Sequence, residues 1–186
     1  MATSNFNLMK GEGVKYSQRG TFYTGSNGTG QYNIPLPAAV EVAKASVKLN
    51  GVIERMLDNS ILPMGRIALN GTTNLLLDRA AIAISSQPGL AGAYIAWEVV
   101  EYANVTVLRG MAQGQPSIST TISSSLPTVD PARCQVNILG VTVESGGTYG
   151  SGDCSIIPTL NANSIVFNTG GGASTVKINW EIVIFN

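Results

Sequence analysis

The sequence predicts an all-β protein: two tandem antiparallel β-sandwich or jelly-roll-like modules related by an internal repeat, with an extended N-terminal arm. Three observations support this. Short runs alternate polar and apolar residues at the period of a strand, as in "Ser46-Val47-Lys48-Leu49" and "Gln135-Val136-Asn137-Ile138". Clusters of Gly, Ser, Asn and Pro punctuate them, among them "Ser86-Gln87-Pro88-Gly89", "Ser145-Gly146-Gly147" and "Gly170-Gly171-Gly172". The chain also writes two passages twice.

In chain order, residues 1–31 are polar and glycine-rich, with turn chemistry at "Gly11-Glu12-Gly13" and "Thr24-Gly25-Ser26-Asn27-Gly28-Thr29-Gly30" around Tyr16, Phe22 and Tyr23. Such a segment makes no core alone. Two readings stand: an arm laid on a partner, or a lead-in strand. The division drawn is 1–31 arm, 32–110 first β-module and 111–186 second β-module.

The repeat begins after the arm. Residues 40–52 align with 129–141, with identities Val40/Val129, Ala43/Ala132, Val47/Val136, Gly51/Gly140 and Val52/Val141. Leu36-Pro37 precedes the first copy and Leu126-Pro127 the second. The only two tryptophans close the copies: "Trp97-Glu98-Val99-Val100-Glu101-Tyr102" and "Trp180-Glu181-Ile182-Val183-Ile184-Phe185". The two spacings differ by a few residues, a change that surface loops tolerate. A period of two puts Ile95, Trp97 and Val99 on one face with Glu98 and Val100 on the other, and Ile178, Trp180 and Ile182 likewise. Residues 80–84 and 164–167 read as inner strands. Residues 51–58 fit two turns of helix or a continuing strand, and the second half favours strand.

Composition narrows the function. Charged residues are 12% of the chain against about 25% in ordinary soluble domains, and 11 basic residues balance 11 acidic ones. Little repulsion holds copies apart, and no basic excess points to nucleic acid. There is no histidine, the commonest general base and metal ligand. The N-terminus lacks the basic and apolar regions of a signal peptide, and no run of about 18 apolar residues would span a membrane. The expectation is synthesis in a cytoplasm.

Few residues could support chemistry. Cys134 and Cys154 bracket the turn at residues 144–147; a cross-strand disulfide and two separate thiols both remain open. Two cysteines without histidine make no zinc site. Glu98 and Glu101 point to opposite faces of a strand. Glu98 and Glu181 would meet under pseudo-twofold packing, as a glycosidase pair would require; otherwise they form cross-strand pairs with Lys or Arg or stay in solvent. Asp58, Asp78, Asp130 and Asp153 are scattered and form no calcium loop. "Gly146-Gly147-Thr148-Tyr149-Gly150-Ser151-Gly152" is no phosphate loop, since it ends neither in Lys nor in a helix. The tryptophans read as core residues or as stacking platforms for sugars. No catalytic, cofactor-binding or metal residue is expected.

The phrase "Trp97-Glu98-Val99-Val100-Glu101-Tyr102", followed by "Val107-Leu108-Arg109-Gly110", resembles a module of tailed-bacteriophage virion structural proteins. There a similar Trp-Glu strand and a following Arg-Gly close a small β-domain that occurs in tandem. The strong motif covers about 15 residues. The second copy departs from it: Ile184 replaces the second Glu and no Arg-Gly follows, which leaves Arg109-Gly110 a linking role. The resemblance implies a non-enzymatic virion component, a capsid decoration or cement protein or a tail-associated part. Its partners would be other virion proteins, major capsid or tail, and further copies of itself as a homo-oligomer, with neither nucleic acid nor membrane. The alternative is a lectin-like carbohydrate-binding module or adhesin for a host surface glycan, by a weaker similarity to small sandwiches whose last strand carries a Trp.

Overall fold

The described residues form twelve strands, and the second six repeat the first. The structure, a computed structural model, describes residues 13–24, 30–54, 65–79, 93–114, 121–144, 156–169 and 175–186. The first set is β1 (Val14–Tyr23), β2 (Gly30–Pro35), β3 (Ala45–Glu54), β4 (Gly65–Asn70), β5 (Asn74–Arg79) and β6 (Ala93–Tyr102). The second is β7 (Val105–Gly114), β8 (Thr121–Ser125), β9 (Cys134–Glu144), β10 (Ile156–Asn161), β11 (Ser164–Thr169) and β12 (Thr175–Phe185). The described helical turns are both 3-10, Val42–Lys44 before β3 and Pro131–Arg133 before β9.

Each set folds into two three-stranded antiparallel sheets. The first module pairs β1-β6-β3 and β2-β5-β4; the second pairs β7-β12-β9 and β8-β11-β10. The expected all-β tandem architecture is what the chain adopts. Even the connections repeat. Leu36 N–H donates to the Thr73 carbonyl at 2.8 Å and Leu126 N–H to that of Asn163 at 2.8 Å. The two Leu-Pro cues therefore anchor equivalent segments onto equivalent hairpins.

The apolar alternation fills two cores. Ile34, Val47, Ile67, Leu75, Leu77, Ile95, Trp97 and Val99 form the first. Phe167, Ile165, Val176, Ile178, Trp180 and Ile182 form the second. Each such side chain contributes about 1.5–3 kcal/mol on burial.

Of the two readings of residues 1–31, the described part takes that of a lead-in strand. β1 lies antiparallel on β6, with Gly20 opposite Trp97, and β2 begins at Gly30. Gln18 fixes β1 further: its side chain accepts from Ala38 N at 3.1 Å and donates to Ala38 O at 3.0 Å. The second module likewise starts at Val105, because β7 is the equivalent of β1; the boundary is the Ala103-Asn104 connector, not residue 111. Residues 51–54 continue strand β3, and 164–167 lie in β11. Residues 55–58 and 80–84, Cys154, Asp58, Asp153 and the glycine run 146–152 lie outside the described residues.

The modules meet through a bulge. β9 touches β4 by one bridge, Arg66 opposite Gly140, which links β2-β5-β4-β9-β12-β7 into one six-stranded sheet. Gly140 has φ +108, and a Cβ there would lie 2.0 Å from the Gly65 carbonyl oxygen. Only glycine fits. The adjacent Leu139 is 1% exposed and packs into the first module's core. On the outer sheet faces, Val100 and Tyr102 of β6 cluster with Val105, Val107 and Val183 of the second module.

Candidate functional site

The Trp-Glu phrases each face an Arg-Gly pair, and both sets have one geometry. Gly20 and Arg19 of β1 stand opposite Trp97 and Glu98 of β6. Gly110 and Arg109 of β7 stand opposite Trp180 and Glu181 of β12. A Cβ on Gly20 would lie 2.5 Å from Trp97 Cζ2, and one on Gly110 2.5 Å from Trp180 Cζ2. Each glycine thus leaves room for an indole to lie across the neighbouring strand. Both tryptophans are buried, at 4% and 5% exposure, and neither Nε1 has a hydrogen-bond partner among the described residues. They are core residues rather than open platforms.

On the opposite face, the arginines reach the glutamates. Arg19 Nε lies 2.8 Å from Glu98 Oε1, and Arg109 Nε 3.0 Å from Glu181 Oε1. There the resemblance ends. The Arg19 side chain is 72% exposed, whereas Glu181 is completely buried, and the reason is the first module. Arg109 Nη1 donates to the Val42 carbonyl at 2.8 Å and Nη2 to that of Ala45 at 2.6 Å. Glu181 Oε2 accepts from Val47 N–H at 2.8 Å and from the Ser46 hydroxyl at 2.9 Å. Asn137 Nδ2 donates to the same Ser46 oxygen at 3.0 Å. The second module grips the edge of β3 and the turn before it.

Burial raises the Glu181 carboxyl above its ordinary value, opposed first by the Arg109 charge and then by the Val47 N–H. The pair resides in a water-poor joint where loss of one partner strands the other. Beside it, Arg66 reaches Asp78, Met111 and Asn179 Oδ1, the last at 3.1 Å. A cleft of about 230 Å³ opens at the same joint, lined by Ala68, Arg109, Leu139, Asn179 and Trp180 among others.

The remaining candidates are dispersed. Glu101 binds Lys15 and the Glu41 N–H, and these hydrogen bonds hold its carboxyl below the ordinary range. Asp130 accepts from Ala132 N at 3.0 Å and so caps a 3-10 turn. Cys134 is a half-buried free thiol. Glu98 and Glu181 each take their own arginine, and the contact is not reciprocal: Glu181 meets β3, but Glu98 does not meet the equivalent edge of β9 among the described bonds. Pseudo-twofold packing is therefore not how the modules join. No group of three or more His, Cys, Asp or Glu able to hold a metal occurs among the described residues, and no described helix is long and apolar enough to cross a membrane.

Sequence reasoning missed Arg19-Gly20. The Arg-Gly after the first Trp phrase serves the second Trp phrase, and the partner of the first precedes it. The signal was present, since "Arg19-Gly20" and "Arg109-Gly110" are identical dipeptides near the start of each repeat. Compared with models of protein families, with curated proteins and with solved structures, the chain has no match.

Proposed function

We propose that the chain is a non-enzymatic structural component of a tailed-phage virion, a capsid decoration or tail-associated protein that acts by protein–protein assembly. The phage assignment rests on the resemblance of the Trp-Glu strand and the Arg-Gly segment. The observation that supports an assembly role is the joint itself: Arg109 and Glu181, both within those motifs, use their polar atoms to hold another module. Residues so engaged serve recognition between β-modules. A chain of low charge and zero formal net charge suits life among packed neighbours. Such a protein is made in the host cytoplasm and resides in the particle. The test is mass spectrometry of purified particles from the source, with the chain followed through a density gradient. Co-migration with capsid or tail proteins is expected, and absence from particles sinks the reading.

A second reading, glycan binding, is favoured by one feature. Tyr23 and Tyr94 stack at 4.6 Å on the outer face of the first module and are 48% and 54% exposed. Exposed aromatic faces receive sugar rings. A glycan array in which binding is lost on Tyr94→Ala would favour this reading over the first.

A further inference from the structure

We infer that copies of this chain join head to tail, the first module of one copy docking on the second module of the next through the same joint that holds the two modules of one chain together. The inference rests on the assembly reading above and names its interface. The intrachain joint has a donor side, on the second module, and a receiving side, on the first. Each side has an equivalent that the single chain leaves open.

On the donor side, Arg109 is matched by Arg19, whose hydrogen-bond and ion-pair partner among the described residues is Glu98 alone; the side-chain exposures are 23% and 72%. Val105 is 2% exposed, while its equivalent Val14 is 42% exposed. Gly140 abuts the Gly65 carbonyl, yet around its equivalent Gly51 a Cβ would meet none of the described residues within 4 Å. On the receiving side, Ala45, Ser46 and Val47 are fully buried: Ala45 and Val47 lie in the first core with their backbones held by Arg109 and Glu181, and the Ser46 hydroxyl donates to Glu181. Their equivalents Cys134, Gln135 and Val136 are half-buried, exposed and half-buried. Arg66 is 8% exposed, and its equivalent Ile157 is 63% exposed, the most exposed large apolar residue described.

The exchanges between joints are matched in kind. Within the chain, Arg66 meets Asn179. Between copies, Ile157 would meet Ala96, the equivalent of Asn179, so a polar contact becomes an apolar one on both sides at once. By the same equivalences, Arg19 of one copy donates to the carbonyls of Pro131 and Cys134 of the next, and Glu98 accepts from the Val136 N–H. Two anchors are absent: Asn50 replaces Leu139, and Ser17 replaces Val107. The joint between copies is accordingly weaker than the joint within one and depends on concentration. A heterologous contact of this kind closes into a ring or runs on as a filament.

The experiment is sedimentation and light scattering of the full chain over a range of concentrations, with two surface variants. Arg19→Glu spoils the donor face and Ala132→Trp blocks the receiving face; both side chains are exposed, and near-UV circular dichroism checks that each variant is folded. The wild type is expected to exceed the 19.4 kDa of one chain as concentration rises, while each variant stays at that mass. An equimolar mixture of the two variants, each with one intact face, is expected to stop at a dimer. A wild type that stays monomeric overturns the inference, as does one that associates only after deletion of residues 1–12. An oligomer indifferent to both variants, or a mixture that never pairs, also overturns it. These readouts need no particle, so absence of the chain from virions would sink the virion reading and leave the joint standing.

Discussion

Arg109 and Glu181 face each other across β7 and β12 with 3.0 Å between Nε and Oε1, and the carboxylate is wholly sealed from solvent. Its counterpart pair, Arg19 and Glu98, has the same cross-strand geometry at 2.8 Å with the arginine in water. One chain thus contains two versions of one interaction: Glu181 is sealed and its arginine mostly covered, whereas Glu98 is buried but its arginine stands in solvent. Removing one partner of a buried pair costs about 3–5 kcal/mol because the other charge is left stranded. Exposed pairs are worth about 0–1 kcal/mol. Arg109→Ala is expected to lower unfolding free energy by the larger amount and Arg19→Ala by the smaller, read from urea midpoints at neutral pH on monomeric samples. Equal effects would mean that Arg109 does not hold the modules.

The glycines under the indoles make a second pair of comparable sites. At Gly110 a methyl group would intrude to 2.5 Å of Trp180 Cζ2, an atom of the indole's six-membered ring at its inner edge. Overpacking of this kind costs about 1–3 kcal/mol. Gly110→Ala should be destabilising by that amount in the native background. Placed together with Trp180→Phe, whose ring is smaller, the same alanine should cost less, and a double-mutant cycle measures the coupling. Strict additivity would show that the indole is not what demands the glycine. Gly20→Ala with Trp97→Phe is expected to behave the same way.

Much of this architecture was legible in the sequence because the period-two alternation and the repeat are both local signals. Ile165 and Phe167, Trp97 and Trp180 turned inward as their spacing required. The limits have physical causes. β1 is exposed at most positions, with Gln18 its buried residue, so no apolar stripe marked Val14–Tyr23 as a ladder strand. The module boundary was misplaced because the Arg-Gly strand belongs to the module that follows it. A motif read across Ala103-Asn104 spans two units, and only pairing shows which Trp the Arg-Gly serves. The joint was invisible, since what distinguishes Glu181 from Glu98 is the backbone of Val47, a neighbour 134 residues away.

Cys134 offers a chemical readout. Burial, with the Asp130 charge next, pushes its thiol up, and its Sγ lies 3.1 Å from the Asp130 carbonyl, to which it donates. The thiolate is the reactive form. In a Cys154→Ser background, Cys134 should react with a thiol-specific dye at neutral pH severalfold more slowly than a free thiol peptide. Reaction at the peptide's rate would contradict the burial of this side chain.

The acid limb of stability should separate two glutamates of opposite sign. The Glu101 carboxyl is held below its ordinary 4.5 by the Lys15 side chain and the Glu41 N–H. A group lowered on folding stabilises at pH above its unfolded value, and that contribution is lost as pH falls through the folded value. Glu181 is raised, mainly by burial, so its ionisation works against the fold above 4.5, and protonation relieves that cost as pH falls toward 4.5. Unfolding free energy measured from pH 7 down to pH 3 should therefore fall less steeply below 4.5 in Glu101→Gln than in the wild type. Between neutrality and 4.5, the difference between wild type and Glu181→Gln should move in favour of the wild type as pH falls. Lys15, whose amine is raised by the same contact with Glu101, gives the alkaline counterpart: its contribution is present below 10.5 and lost as pH rises through the folded value. A Glu101→Gln profile parallel to the wild type at both ends would mean that the Lys15–Glu101 contact does not persist in solution.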